Sequence, residues 1–203
     1  PGAFREFLTL PEQNLHVVPR DVPSEHAVFA EPLAAACEIL DQVKIPKGAP
    51  VAVLGDGKLG LLIGQVLHAH GASVQQFGCH KEKLRIAQQA GIETQLAKKL
   101  PASAYDWVVD ATGSREGLAQ AVRMTRPRGT LVLKSTVHGL VPVDTAPIIV
   151  NELTLIGSRC GRLEPALPLL TAGHGLVESR IPAPTRPTQR PLGSRPPARK
   201  GGR

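Results

Sequence analysis

Three glycines, Gly55, Gly57 and Gly60, stand at G-x-G-x-x-G spacing in the run VAVLGDGKLGLLIGQVL. Each position suits a different task. Gly55 makes a tight turn, Gly57 lets a pyrophosphate approach the backbone, and Gly60 lets a helix pack closely on a strand. The apolar run ending at Leu54 reads as that strand, and a helical pattern opens at about Lys58. Its N-terminus offers unpaired N–H groups and partial positive charge to phosphates. Asp56, Lys58 and Leu59 lie inside the turn and are expected to line it with the glycines. A strand–helix turn without a ligand is the plain alternative, and the strand–helix units that follow favour the ligand.

The end of the next strand selects the dinucleotide. Sites for NAD carry Asp or Glu there, about 20 residues on, to bond the ribose hydroxyls. After Asp56 the next acid is Glu82, and the expected position falls near Gly78 in QFGCHKEKLR. A glycine removes the carboxylate that would repel a 2′-phosphate. His80, Lys81, Lys83 and Arg85 can supply positive charge, so NADP(H) is expected over NAD(H), contacted by Gly78, His80 and Lys83. A solvated helix face is the alternative for these cations. DWVVDATG ends another strand with Asp110 and a small-residue turn, and Ser135 and Thr136 close a further one. Ligands bind at that carboxyl edge of open α/β sheets. Ala111, Thr112 and Ser135 are therefore candidate cofactor contacts, although ordinary turn chemistry also explains them.

The elements that must position these residues alternate. VAVLG (51–55), SVQQF (73–77), ETQL (93–96), DWVVD (106–110), TLVLKS (130–135) and LTLIGS (153–158) read as strands. Helical patterns run to His70, over about 81–90, through SREGLAQAVRMT and near 164–172. This order implies a doubly wound parallel sheet, an α/β fold. Upstream, FREFLTL and LHVVP read as strands or extended segments. A helix is expected from Pro32 to about Val43, with Ser24 as a plausible N-cap before it.

The chain has 203 residues and a formal charge of +7, but the excess is local. From Ser179 on there are seven basic residues and no acid, and the rest sums to zero. That stretch holds six Pro, three Gly and no aromatic residue, so 177–203 is expected to be a disordered Pro/Arg-rich tail. Without aromatics for stacking it does not suit nucleic-acid reading. Nothing approaches the roughly 20 unbroken apolar residues of a membrane helix. Cys37, Cys79 and Cys160 make no CxxC pair, which fits a reducing, cytoplasmic compartment. No leader is visible in PGAFREF, and the missing Met suggests a missing start.

EHAVFAEPLAAACEIL, VAVLGDGKLGLLIGQVL, DWVVDATG, RPRGTLVLKS and NELTLIGSRCG, in that order, resemble the zinc-type medium-chain dehydrogenase/reductase superfamily, the alcohol, sorbitol and threonine dehydrogenase group. The resemblance covers about residues 2–173. It implies a β-rich GroES-like catalytic domain, of which 1–43 would be a remnant with a linking helix. Residues 44–176 would be the NAD(P)-binding Rossmann domain. It implies a catalytic zinc that polarises a small alcohol or carbonyl substrate during hydride transfer. The usual Cys and His-Glu ligands would precede residue 1. Glu31, in Glu31-Pro32-Leu33, matches a glutamate at or near that zinc, and would act only in an intact parent. Alone, one carboxylate is a helix-entry residue. After about Gly175 the chain departs from the family, which suggests an altered end. No catalytic residue is assigned. Two functions stay open: an oxidoreductase fragment that binds cofactor but turns over poorly by itself, and a non-catalytic NADP(H)-binding or regulatory subunit. LTLIGS at a sheet edge allows a homodimer.

Overall fold

A computed structural model describes residues 7–171. Residues 7–17 belong to a separate unit from those that begin at Val18. They contain one 3-10 turn, Glu12–Asn14, and no strand. Neither the described part of FREFLTL nor LHVVP forms a strand, which leaves the extended-segment reading, and the β-rich remnant is not seen among the described residues.

From Val18 onward, α1 (Ser24–Ala27) and α2 (Ala30–Gln42) come first. Ser24 is the first residue of its helix rather than the cap: Pro23 holds the cap position and no side chain caps the turn. Pro32 falls in the first turn of α2, where a missing N–H has no consequence. The alternation then follows: β1 (Pro50–Leu54), α3 (Lys58–His70), β2 (Ser73–Gly78), α4 (Lys81–Gln89), β3 (Glu93–Leu96), β4 (Tyr105–Asp110), α5 (Arg115–Met124) and β5 (Thr125–Leu133). It closes with α6 (Ala146–Val150), β6 (Thr154–Gly157) and α7 (Leu167–Thr171). The first turn of α6 contains Pro147, and Asp144 Oδ1 accepts the Ala146 N–H at 3.0 Å. The tail reading for 177–203 lies outside the described residues. No helix among the described residues is long and apolar enough to cross a membrane.

Every strand pair is parallel, and the sheet order is β3-β2-β1-β4-β5-β6. The chain order reverses between β1 and β4, so the crevice at their carboxyl ends is where such a sheet receives a ligand. Leu54 pairs with Asp110 there. β1 is apolar and buried from Val51 to Leu54, as a strand covered on both faces must be. α3 is buried from Gly60 to Val66 and Leu67, because it touches the sheet and also α2. β5 departs from expectation. Thr125 pairs with Tyr105, the register then shifts, Arg128 takes φ 63°, and the ladder resumes at Thr130 opposite Trp107. Ser135 lies just beyond that strand.

Phe77 anchors the core. It is fully buried and meets Tyr105 edge-on, with ring centroids 6.0 Å apart at 80°. Val108, Met124 and Leu131 complete the packing around it. Phe77→Ala is expected to destabilise the fold by about 3–5 kcal/mol, the usual result of emptying a large buried site. Urea unfolding of the two proteins would measure it; a change under about 1 kcal/mol would contradict the packing described.

Candidate functional site

The turn after β1 is built by contacts that exclude side chains. Gly55 has φ +127°, and a Cβ there would meet the Ala111 carbonyl. A Cβ on Gly60 would lie 2.5 Å from the Gly55 carbonyl oxygen, so α3 sits directly on the turn. Gly57, the residue before α3, is exposed and would meet nothing within 4 Å. No side chain caps α3 and its first turn holds no acid. Its first N–H groups therefore lack intrahelical partners and face the favourable end of the helix dipole. Lys58 is exposed in that turn and Leu59 is half-buried. Gly55 and Gly60 thus have the tight turn and the close helix packing their spacing implied.

Gln76 supports this turn and was not singled out from sequence. It is fully buried in β2, and its Nε2 donates to the carbonyls of Gly55 at 2.5 Å and Gly60 at 3.2 Å. Two carbonyl partners require the amide nitrogen on that side. A glutamine in a strand gives no sign of its partners; only the fold brings β2 beside the turn.

The end of β2 holds a carboxylate that comes from the glycine turn. Gly78 carries no carboxylate, but Asp56 fills the space. A Cβ on Gly78 would lie 2.5 Å from Asp56 Cβ and 2.7 Å from its Oδ2. Asp56 is only 8% exposed. Its Oδ2 accepts the His80 backbone N–H at 2.6 Å, and His80 Nδ1 sits 3.0 Å from Oδ2 and 3.2 Å from Oδ1. Burial pushes the Asp56 carboxyl up, but the hydrogen bonds and charge of His80, with the Cys79 backbone, outweigh it and hold the group below its ordinary 3.8. So Asp56 engages His80 rather than pointing freely at a ligand. Lys83 is exposed on α4.

The turn after β4 is organised by Asp110, which is 3% exposed. Its Oδ1 accepts from Thr112 N–H at 3.0 Å, Thr112 Oγ1 at 2.8 Å and Ser135 Oγ at 2.9 Å. Gly113 N–H donates to Ser135 Oγ at 2.9 Å. Thr112 and Ser135 therefore spend their protons on Asp110, which holds the loop at Ala111 against the glycine turn. Their hydroxyls keep acceptor capacity only.

A cavity of about 630 Å³ opens beside this edge, lined by Glu31, Leu59, Lys134, Ser135, Arg159 and Cys160 among others. Lys134 is buried and its Nζ donates to the Arg159 carbonyl at 2.7 Å. Desolvation pulls its pKa down, against the upward pull of Glu38, Cys160 and Glu31. Glu31 is exposed in the first turn of α2. The donor set does not fit a catalytic zinc. Among the described residues no three His, Cys, Asp or Glu side chains could hold a metal, and catalytic zinc takes three protein ligands.

The known protein family described as zinc-binding dehydrogenase matches residues 59–172, more than half of the chain. The chain belongs to that family. Among curated relatives, it is 26% identical over 186 residues to sorbitol dehydrogenase of Halalkalibacterium halodurans, covering 83% of this chain and 54% of the relative. It is 27% identical over 172 residues to galactitol 1-phosphate 5-dehydrogenase of Escherichia coli, covering 77% and 50%. The chain thus spans about half the length of these relatives. A crystal structure of a zinc-binding dehydrogenase of Sinorhizobium meliloti bound to NADP superposes with TM-score 0.74 at 25% identity, over 85% of this chain and 56% of that one. The Escherichia coli galactitol-1-phosphate dehydrogenase structure gives 0.77 at 25%, over 85% and 57%.

Two outcomes follow from the geometry. Gly60→Ala places a methyl against backbone that cannot move aside, so it is expected to weaken nicotinamide dinucleotide binding at least tenfold while the far-UV circular dichroism stays α/β; unchanged binding would contradict the seating of α3. Because the Asp56 carboxyl is held low, its stabilising contribution is present above about pH 4 and is lost as pH falls further. The stability gap between the wild type and Asp56→Asn, from urea unfolding at a series of pH values, is expected to narrow below that point.

Proposed function

We propose that this chain is the nicotinamide cofactor-binding part of an alcohol/carbonyl oxidoreductase and takes NADP(H) in preference to NAD(H). The single observation that carries the reading is the uncapped N-terminus of α3, seated through Gly60 on a glycine turn at the point where the sheet order reverses. That is an anion site aimed at a pyrophosphate. The exposed Lys81, Lys83 and Arg85 on α4 support positive charge for a 2′-phosphate beside the end of β2, where Gly78 itself carries no acid. Asp56, which fills the space beside Gly78, is paired with His80.

The same reading divides the chain at about residues 43 and 176, with the upstream part as the remnant of the catalytic domain. It places a small alcohol or carbonyl substrate at the cavity beside Ser135 and Leu59. Zinc would belong to an intact parent, with Glu31 at most one of its ligands. The outer strand β6, with Leu155 exposed, supports a homodimer formed along that edge. Cys37, Cys79 and Cys160 all stand free, which supports a cytoplasmic setting.

Calorimetric titration of the purified protein with NADPH and with NADH tests the reading. NADPH is expected to bind more tightly. Tighter NADH binding would overturn the 2′-phosphate argument and keep the domain assignment; binding of neither would overturn both. Cofactor binding without hydride transfer, even when a catalytic domain is supplied, would favour a regulatory subunit.

A further inference from the structure

The residue order around β1 and β2 moves a carboxylate from one strand end to the other. Leu54 and Phe77 are partners in the ladder, and the Gly55 N–H donates to the Phe77 carbonyl at 2.8 Å. Asp56 and Gly78 therefore follow side by side at the carboxyl edge. Position 78 is where an acid reading the adenosine ribose would stand. Asp56 Cβ, Cγ and Oδ2 lie 2.5, 2.8 and 2.7 Å from where a Cβ on Gly78 would be. The volume of a strand-end side chain is thus taken by a carboxylate that arrives from the glycine turn.

We infer that Asp56 is the specificity-determining residue for the adenosine ribose: its carboxylate accepts a hydrogen bond from a free 2′-hydroxyl and opposes a 2′-phosphate, and His80 attenuates that opposition. The inference rests on the dinucleotide reading above and refines it. A carboxylate offers about four acceptor directions on its two oxygens. His80 takes two of them at Oδ2, the Cys79 backbone also bonds the carboxylate, and Oδ1, which the His80 ring approaches only at 3.2 Å, keeps the remaining acceptor capacity. Like charges at this range repel appreciably when one is shielded from solvent, and Asp56 is. His80, by contrast, is exposed, and it bonds to that carboxylate through both its backbone and its ring. The pair therefore sets how much of the attraction from Lys81, Lys83 and Arg85 a 2′-phosphate experiences. On this account the preference for NADPH is smaller than those cations alone would give.

The test is a double-mutant cycle on cofactor affinity. Dissociation constants for NADPH and NADH are measured by calorimetry on the wild type, Asp56→Asn, His80→Ala and the double variant, with circular dichroism melts to confirm folding. Asn keeps an oxygen for the His80 N–H but loses the charge. The ratio of NADH to NADPH dissociation constants is expected to rise on the order of tenfold in Asp56→Asn. It is expected to fall several-fold in His80→Ala, and to change little when His80→Ala is added to Asp56→Asn. If Asp56→Asn does not fold, Asp56→Ser replaces it. An unchanged or lowered ratio in the Asp56 variant overturns the inference, as does an equal loss for both cofactors, which is what a purely structural role would give. Failure of the underlying reading shows separately, as a wild type that binds neither cofactor.

Discussion

The contact on which the site depends is the one between the Cα of Gly60 and the carbonyl of Gly55. It lets α3 begin immediately after β1, with no side chain between helix and turn. A larger residue at either position would lift the helix N-terminus from the sheet edge and move its unpaired N–H groups out of line. The neighbouring strands reinforce the contact from both sides. Ala111, at the end of β4, presses against Gly55, and Gln76, from β2, bonds both glycine carbonyls. Three consecutive strands in space thus converge on a few atoms of one turn.

Three buried charged groups, each bonded to a partner, hold the rest of the edge in place. Asp110 gathers Thr112 and Ser135, and so fixes the loop that backs the turn. Asp56 gathers His80 across Gly78. Lys134 anchors on the Arg159 carbonyl where the cavity opens. Removing one partner of such a pair leaves a buried group unsatisfied, which costs about 1–3 kcal/mol or more for a charge. Glycines account for the closeness of the edge, and these pairs account for its shape.

Much of this was legible in the sequence because the parallel sheet imposes strong local signals. The strands over 51–55, 73–77 and 106–110, and the helices between them, appear where period and turn residues placed them. The roles of Gly55 and Gly60 follow from backbone requirements that spacing alone expresses. What was not legible depends on neighbours distant in the chain. The Gln76 bonds span 21 and 16 positions. The His80–Asp56 pair spans 24, so an aspartate counted as a phosphate-turn residue turned out to occupy the space of a missing strand-end acid. For FREFLTL and LHVVP the sequence could not choose between strand and extended segment for a related reason: an apolar run becomes a strand only when another strand is there to pair with it. The irregular entry into β5, with Arg128 at positive φ, left no mark that propensity could read.

The central claim is that the N–H groups at the start of α3 receive the pyrophosphate of a nicotinamide dinucleotide. Its most direct test is a ¹H–¹⁵N spectrum of uniformly labelled protein followed through a titration with NADPH. The account predicts that the amides of Gly57, Lys58, Leu59 and Gly60 shift most, downfield and saturably. Shifts of these amides no larger than the average, with the main changes elsewhere in the chain, would contradict it.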